Sequence, residues 1–254
     1  MNVLVCIKRV PATAGHITLT PDAQDIDTHY LGFTISPHEE CAVEEAVRLQ
    51  EQHGGTTTVL TLGPDAAVDQ LRDAMALGIE RGILLEGKDR EWDPVATAAA
   101  IAEAVEAERA AGRSYDLLLF GNESADSAGY QVGVRVAEAL HLPCVTGIKA
   151  LEVTGGRVDV RRQTESGWET ATVDLPAVLT VREGLNLPRY PSLPGRLKAK
   201  KKEIDRLQPG WRDGGLEKVR LKLPVQAAHS VEMLGKSGDV GRELLDLFQR
   251  LRLV

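Results

Sequence analysis

The first 140 residues alternate short apolar runs with helical periods, and this alternation restricts the fold more than any other feature of the chain. The apolar runs predict strands at residues 3–7, 56–62, 82–85 and 115–120. Amphipathic or alanine-rich stretches with capping residues predict helices over residues 36–53, 63–77, 95–110 and 130–140. A chain that repeats strand and helix in this way forms a parallel sheet with right-handed crossover connections.

The second half of the chain has a different pattern. Four further strands are predicted at residues 148–153, 157–164, 168–173 and 177–181, with glycines at two turns that indicate two hairpins. Three prolines between residues 188 and 194 exclude a helix there. Residues 208–238 are predicted to be an extended arm, and residues 241–251 a final amphipathic helix.

These patterns together predict an α/β fold of the Rossmann-like type that binds adenine nucleotides. We expect a largely parallel twisted sheet with helices on both faces, antiparallel hairpin additions and an extended C-terminal arm. The α/β domain is predicted to span residues 1–184, and residues 185–254 are predicted to form a separate C-terminal region.

Charge and composition exclude several classes of function. The chain carries 37 acidic against 30 basic residues, and this acidic balance argues against nucleic acid as a partner. The apolar stretches are shorter than the roughly 20 residues of a membrane helix, and the N-terminus lacks the layout of a signal peptide. The cysteines Cys6, Cys41 and Cys144 are odd in number and far apart, which is typical of packing roles in a reducing compartment. These features together predict a soluble cytoplasmic protein. The histidines show no metal-ligand spacing, so we expect no metal site.

Residues 121–133 form a polar loop between the fourth predicted strand and the next helix. In open parallel sheets, ligands bind at the carboxyl ends of the strands, and the start of a helix offers free N–H groups to phosphate. An ordinary strand–helix loop is the alternative. The candidate nucleotide-binding residues in this loop are Asp126, Ser127, Ala128, Gly129, Tyr130, Gln131, Val132 and Gly133.

A second helix start is a weaker candidate for the same site. Ser36, Pro37, His38 and Glu39 follow an extended segment, and Ser36 with Glu39 fits a capping box. Capping alone is enough to explain this motif. A role in ligand binding is the alternative, and the local sequence does not decide between the two.

A basic run near residue 200 is conspicuous on an acidic protein. It contains Arg196, Lys198, Lys200, Lys201 and Lys202, and it follows Leu193 and Pro194. One interpretation is a solvated surface. The other is a docking surface on which the cations steer an acidic partner and Leu193 is an exposed apolar anchor on a stiff loop.

Several segments in the same order resemble the beta subunit of electron transfer flavoprotein. They include VCIKRV at residues 5–10, AVEEAVRL at 42–49 and the signature-like VRRQTESGWE at 160–169 with LPAVLT at 175–180. Residues 185–202, LNLPRYPSLPGRLKAKKK, are similar to the family's partner-recognition loop. The resemblance covers nearly the whole chain.

This resemblance implies an electron carrier rather than a stand-alone enzyme, with no catalytic residues. It implies a heterodimer with an alpha subunit that holds most of the FAD, while this chain binds a structural AMP. Electrons would arrive from acyl-CoA and other flavin dehydrogenases and leave to a quinone oxidoreductase. By position, AMP contacts would fall on Cys6, Lys8, Leu62 and Gly63, on residues 36–39 and on residues 126–133. Leu193 would be the recognition anchor, and the final helix would pack on the alpha subunit.

Other functions remain open at this stage. Residues 131–133 also resemble family members that bind a second FAD in place of AMP and split electron pairs. A hydrolase or a sensor of adenine nucleotides would share the nucleotide-binding fold. The sensor would have no evident use for residues 185–254, and the chain lacks an SGGxDS-type pyrophosphatase loop after its first strand.

Overall fold

The computed structural model describes residues 1–13, 17–87, 92–224 and 240–254, which fold around a nine-stranded sheet. The strands are β1 (Val3–Ile7), β2 (Val10–Pro11), β3 (Phe33–Thr34), β4 (Thr57–Gly63), β5 (Arg81–Glu86), β6 (Leu117–Gly121), β7 (Cys144–Thr154), β8 (Arg157–Thr164), β9 (Gly167–Asp174), β10 (Ala177–Val181) and β11 (Ile204–Leu207). The α-helices are α1 (Pro37–His53), α2 (Val68–Leu77), α3 (Pro94–Ala110), α4 (Val132–Ala139), α5 (Leu193–Lys201) and α6 (Val240–Arg250). Within those described ranges, no helix combines the length and the hydropathy that a membrane span requires.

The sheet has the strand order β11-β5-β4-β1-β6-β10-β7-β8-β9, and all pairs from β11 to β7 are parallel. After β1 the chain builds outward through β4 and β5, then returns to place β6 on the other side of β1. The order of the strands therefore reverses at β1. In folds of this type, ligands bind at the carboxyl edge beside such a reversal.

The first strand shows why helices cover both faces. Its five residues are all buried, and successive side chains point to opposite faces of the sheet. Val3 and Val5 pack with the apolar sides of α1 and α2, whereas Leu4 and Cys6 pack with α3 and α4. The predicted parallel sheet with helices on both faces is thus confirmed.

The hairpin additions are also confirmed. β7 pairs antiparallel with β8 and β8 with β9, and the turns contain Gly155, Gly156 and Gly167 in left-handed conformations. β10 then returns to the parallel part of the sheet and lies between β6 and β7. The hairpins therefore extend the sheet beyond β7 without disturbing its parallel part.

The structure corrects the prediction for the proline-rich stretch. A helix begins at Leu193, although three prolines were expected to exclude one, and Leu193 lies on this helix instead of a stiff loop. Pro194 is tolerated because the N–H groups of a first turn need no intrahelical partner. Ser192 caps the helix by accepting a hydrogen bond from the Gly195 N–H at 3.1 Å.

The described part of the predicted arm, residues 208–224, contains neither helix nor strand. It is attached to distant parts of the domain, since the Leu221 N–H donates to the Ala23 carbonyl at 2.8 Å and the Leu216 N–H to Asp93 at 3.1 Å. The rest of the predicted arm, residues 225–238, lies outside the described residues. The final helix is present as α6.

Candidate functional site

The carboxyl edge of the sheet brings three predicted segments together. β1, β4 and β6 are neighbours, and they end side by side because Ile7 is in register with Thr61 and Cys6 with Phe120. α1 packs on β1 and β6, which places its first turn at the same edge. Residues 6–8, 36–39 and the loop after β6 thus form one group, which we call the switch-point site.

Glu39 connects these segments. One of its carboxyl oxygens accepts a hydrogen bond from the Lys8 N–H, and the other accepts one from the Ser36 N–H, both at 2.9 Å. Gly121 leaves room for this side chain, because a Cβ there would lie 2.6 Å from the Cγ of Glu39. Burial raises the pKa of Glu39 to about 8 despite these hydrogen bonds. The capping box therefore also ties the end of β1 to the start of α1.

His38 links α1 to two loops of the same edge. Its Nδ1 accepts a hydrogen bond from the Glu183 N–H at 3.2 Å, so Nε2 carries the proton and faces Glu123 Oε1 at 3.2 Å. The Ser36 hydroxyl donates to the Glu123 carbonyl at 3.2 Å. Glu123 was missed in the sequence, although its place directly after the apolar strand β6 was an available signal.

Lys8 and Asp126 connect the end of β1 with the loop that follows β6. Their side chains form an ion pair with an Nζ–Oδ2 distance of 2.6 Å, and Asp126 also accepts from the Ser127 N–H at 2.8 Å. Burial raises the pKa of Asp126, but the charge and hydrogen bond of Lys8 outweigh burial and hold this pKa below its usual value. A cation and an anion are therefore fixed side by side at the edge of the site.

The loop between Asp126 and α4 has an unusual backbone. Ala128 and Tyr130 have φ values of 45° and 55°, in the left-handed region that non-glycine residues seldom adopt. α4 follows without a side-chain cap on its N-terminus. Its first-turn N–H groups are thus left without a capping side chain, which is the arrangement that binds phosphate in many proteins.

Gly133 allows α4 to approach the sheet closely. A Cβ at this position would lie 2.8 Å from Cγ2 of Thr180 and 3.3 Å from Cγ of Phe120. Gln131 is engaged by its own helix, since its side-chain oxygen accepts from Arg135. The start of α4 is therefore held against the ends of β6 and β10.

The remaining predicted nucleotide contacts lie at the same edge, and three of them have side chains packed into the core. Cys6, Leu62 and Val132 share one apolar cluster on the α3 and α4 face. Burial, with a smaller effect of the Glu39 charge, raises the pKa of the Cys6 thiol. Gly63 ends β4, and Pro37 occupies the first turn of α1.

The predicted docking residues lie apart from this site, on α5. This helix packs against α2, with Ala199 buried between them. The outer side carries Leu193 and Leu197, which are 72% and 55% exposed. The other predicted members of this set, all outside the core, are Pro194, Arg196, Lys198, Lys200 and Lys201.

A doubly wound α/β protein is defined by this arrangement of an open parallel sheet with polar loops gathered where the strand order reverses. The family model of the electron transfer flavoprotein domain matches residues 25–210. The chain is 37% identical to the electron transfer flavoprotein subunit beta of Bacillus subtilis, with 98% of each chain covered. It is 34% identical to the subunit beta of Thermoanaerobacterium thermosaccharolyticum, over 99% of this chain and 98% of the relative. The subunit beta of Mycobacterium leprae is 31% identical over 100% of this chain and 99% of the relative. The chain belongs to the electron transfer flavoprotein family, as one of its beta subunits.

Proposed function

We propose that this chain binds a structural AMP at the switch-point site and assembles with an alpha subunit that holds most of the FAD. In that heterodimer it relays electrons from flavin dehydrogenases, such as acyl-CoA dehydrogenases, to a quinone oxidoreductase. FAD supplies the redox chemistry when bound, and the protein positions it. The relatives are named as beta subunits, which supports an alpha-subunit partner.

The observation that carries the nucleotide proposal is the uncapped start of α4, which follows the loop whose Asp126 pairs with Lys8. Phosphate is attracted by first-turn N–H groups and by the positive end of a helix. Lys8 adds a cation, and Asp126 adds an acceptor suited to a ribose hydroxyl. The residues present therefore fit the phosphate and the ribose of a nucleotide such as AMP. Val132 and Gly133 would hold its phosphate through their N–H groups.

A structural role for the nucleotide follows from the chemistry of the site. The polar groups that converge there bind backbone N–H groups or one another, as Glu39 and the Lys8–Asp126 pair do. Such groups can bind and orient a nucleotide and hold segments together. The nucleotide would join β1, α1 and α4 at the edge of the sheet.

The test is to co-express the chain with an alpha subunit of the same family from the same organism, purify the complex, denature it and identify the released nucleotides. One FAD and one AMP per complex would support the proposal. Two FAD molecules without AMP would replace it with the electron-splitting alternative, and a complex without flavin would refute it. Asp126→Asn should lower AMP content, and Glu106→Gln on the exposed side of α3 is the matched control.

A further inference from the structure

The segment between β10 and α5 is fastened to α1 by ion pairs. Arg189 donates from Nε to Glu44 at 2.9 Å and from Nη2 to the other Glu44 oxygen at 3.1 Å. The same guanidinium donates to both oxygens of Glu51, at 2.6 and 2.9 Å. The backbone N–H of Arg189 also donates to Glu44 at 3.0 Å. We call these three residues the Arg189 clasp.

The contact between Arg189 and Glu44 is buried, so the charge of Glu44 must be compensated within the protein. Glu44 is only 2% exposed, and a carboxylate at such a place requires cationic partners. Burial raises the pKa of Glu44, but hydrogen bonds from Arg189 and from Arg48 outweigh burial and keep it below its usual value. Arg48 reaches Glu44 from one turn further along α1, at 2.8 Å, and this ion pair lies within the helix.

Asn186 provides a second attachment nearby. Its side-chain N–H groups donate to the Cys41 carbonyl at 3.0 Å and to Glu45 at 2.8 Å. The segment from Asn186 to Arg189 is therefore held along α1 at both of its ends.

The far end of α5 is held separately, by α2 and by the connection between α2 and β5. Arg72 on α2 donates to the Ala199 carbonyl at 2.6 Å and to the Lys202 carbonyl at 3.3 Å. The Lys202 ammonium donates to the Ile79 carbonyl at 2.7 Å. Near the start of α5, a Cβ on Gly195 would lie 2.4 Å from the Ala76 carbonyl oxygen. The body of α5 is thus held by its contacts with α2, whereas the Arg189 clasp holds the segment that leads into the first turn, where Leu193 lies.

We propose that Arg189 is a positioning residue that presets the docking surface on α5, so that Leu193 and Leu197 meet a donor dehydrogenase already in place. The inference rests on the proposed function, in which a dehydrogenase donates electrons, and on the prediction that Leu193 and the basic run on α5 form the docking surface. Nearby Leu187 and Tyr190 are highly exposed, so the segment has little apolar burial of its own to fix it. A surface that is ordered before binding loses less conformational entropy on association.

The test compares Arg189→Gln with Arg48→Gln in the purified heterodimer. Both changes remove a guanidinium from Glu44, but only the first releases the segment. Steady-state reduction by an acyl-CoA dehydrogenase and its acyl-CoA gives KM for the heterodimer and kcat. Hydrogen exchange of residues 186–200 in the heterodimer alone reports the order of the segment.

Arg189→Gln should raise KM about tenfold with kcat nearly unchanged, because lost docking affinity is uniform binding energy. It should also accelerate exchange in residues 186–193, which the clasp holds, and Arg48→Gln should do neither. Arg189→Lys should give an intermediate KM, since an ammonium cannot make the forked contact. Where Arg189→Gln fails to assemble, Glu51→Gln removes only the outer contact and should raise KM about twofold.

Two outcomes separate this inference from the proposed function. If Leu193→Ala raises KM while Arg189→Gln, Arg189→Lys and Glu51→Gln leave it unchanged, positioning by Arg189 is refuted and docking through α5 stands. If Leu193→Ala also leaves KM unchanged, docking through α5 fails, and the positioning role fails with it.

Discussion

Replacing Glu108 by Gln should destabilise the fold in a manner that depends on pH. Glu108 is 5% exposed at the end of α3 and binds Arg81 on β5 and Arg113 after the helix. The Tyr115 hydroxyl donates to it at 3.2 Å, and Arg81 also holds Asp205 of β11. One carboxylate therefore joins α3 to β5 and to Tyr115 just before β6, and Arg81 extends the network to the edge strand β11.

The size of the effect follows from the pKa of this carboxyl. Burial raises the pKa of Glu108, but hydrogen bonds from Arg113 and Arg81 outweigh burial and lower the pKa from 4.5 to about 2. At about 1.4 kcal/mol per unit this shift amounts to roughly 3 kcal/mol. Because both arginines are partly exposed, solvent screening reduces the contribution to about 2 kcal/mol. For a chain of this size the expected loss in Tm is about 4 to 8 °C.

The sign of the pH dependence is fixed by the direction of the shift. The folded pKa lies below the unfolded one, so the stabilisation is complete above about pH 4.5 and is lost as the pH falls towards 2. At pH 3.5, the linkage relation predicts that about three fifths of the stabilisation present at pH 7 remains. The difference between wild type and Glu108→Gln should shrink accordingly.

Calorimetry of the purified heterodimer at pH 7 and pH 3.5 measures both quantities. Glu106→Gln is the control, because Glu106 lies on the same helix and binds only the exposed Arg109 at 3.0 Å among its described contacts. A Glu108→Gln protein as stable as wild type, or a Tm difference that is equal at both pH values, would refute the reasoning.

Further changes test the proposed sites. Leu193→Ala should raise KM for a donor dehydrogenase about tenfold without loss of flavin, and normal kinetics would remove the anchor role. The association rate with the donor should fall several-fold between about 20 and 200 mM salt if the basic run steers docking, and a flat rate would count against steering. Asp126→Ala should lower AMP occupancy to less than about half, whereas unchanged occupancy and melting would exclude it from the site. Gly133→Ala should cost about 1–3 kcal/mol, because its Cβ would lie 2.8 Å from Thr180 Cγ2, and an unchanged Tm would contradict this.

The sequence predicted secondary structure correctly where nearby residues determine it. Wholly apolar runs, the capping box at Ser36 and the hairpin glycines are each set by nearby residues, and each is confirmed. The meeting of residues 6–8, 36–39 and 121–126 also follows from the rule that parallel strands end at one edge. That these residues bind a nucleotide stays a prediction.

The features that were missed depend on distant partners. β11 has only four residues, with two polar ones between two apolar ones, and it forms because it pairs with β5 and Asp205 binds Arg81. Glu44 lies among other acids on a helix, and nothing local marks it as buried beneath Arg189, which is 145 residues away. The helix that begins at Leu193 was wrongly excluded. A proline breaks the interior of a helix, but Pro194 lies in the first turn, where proline is tolerated.

The last helix has a consequence for how the cell must make this protein. α6 buries none of its residues against the described part of the chain, yet Leu244, Leu245 and Phe248 are apolar and exposed. A copy synthesised in excess of a covering subunit would present this stripe to other chains and invite aggregation. Where a second subunit covers this stripe, balanced production of the two subunits would keep it from being exposed on surplus copies.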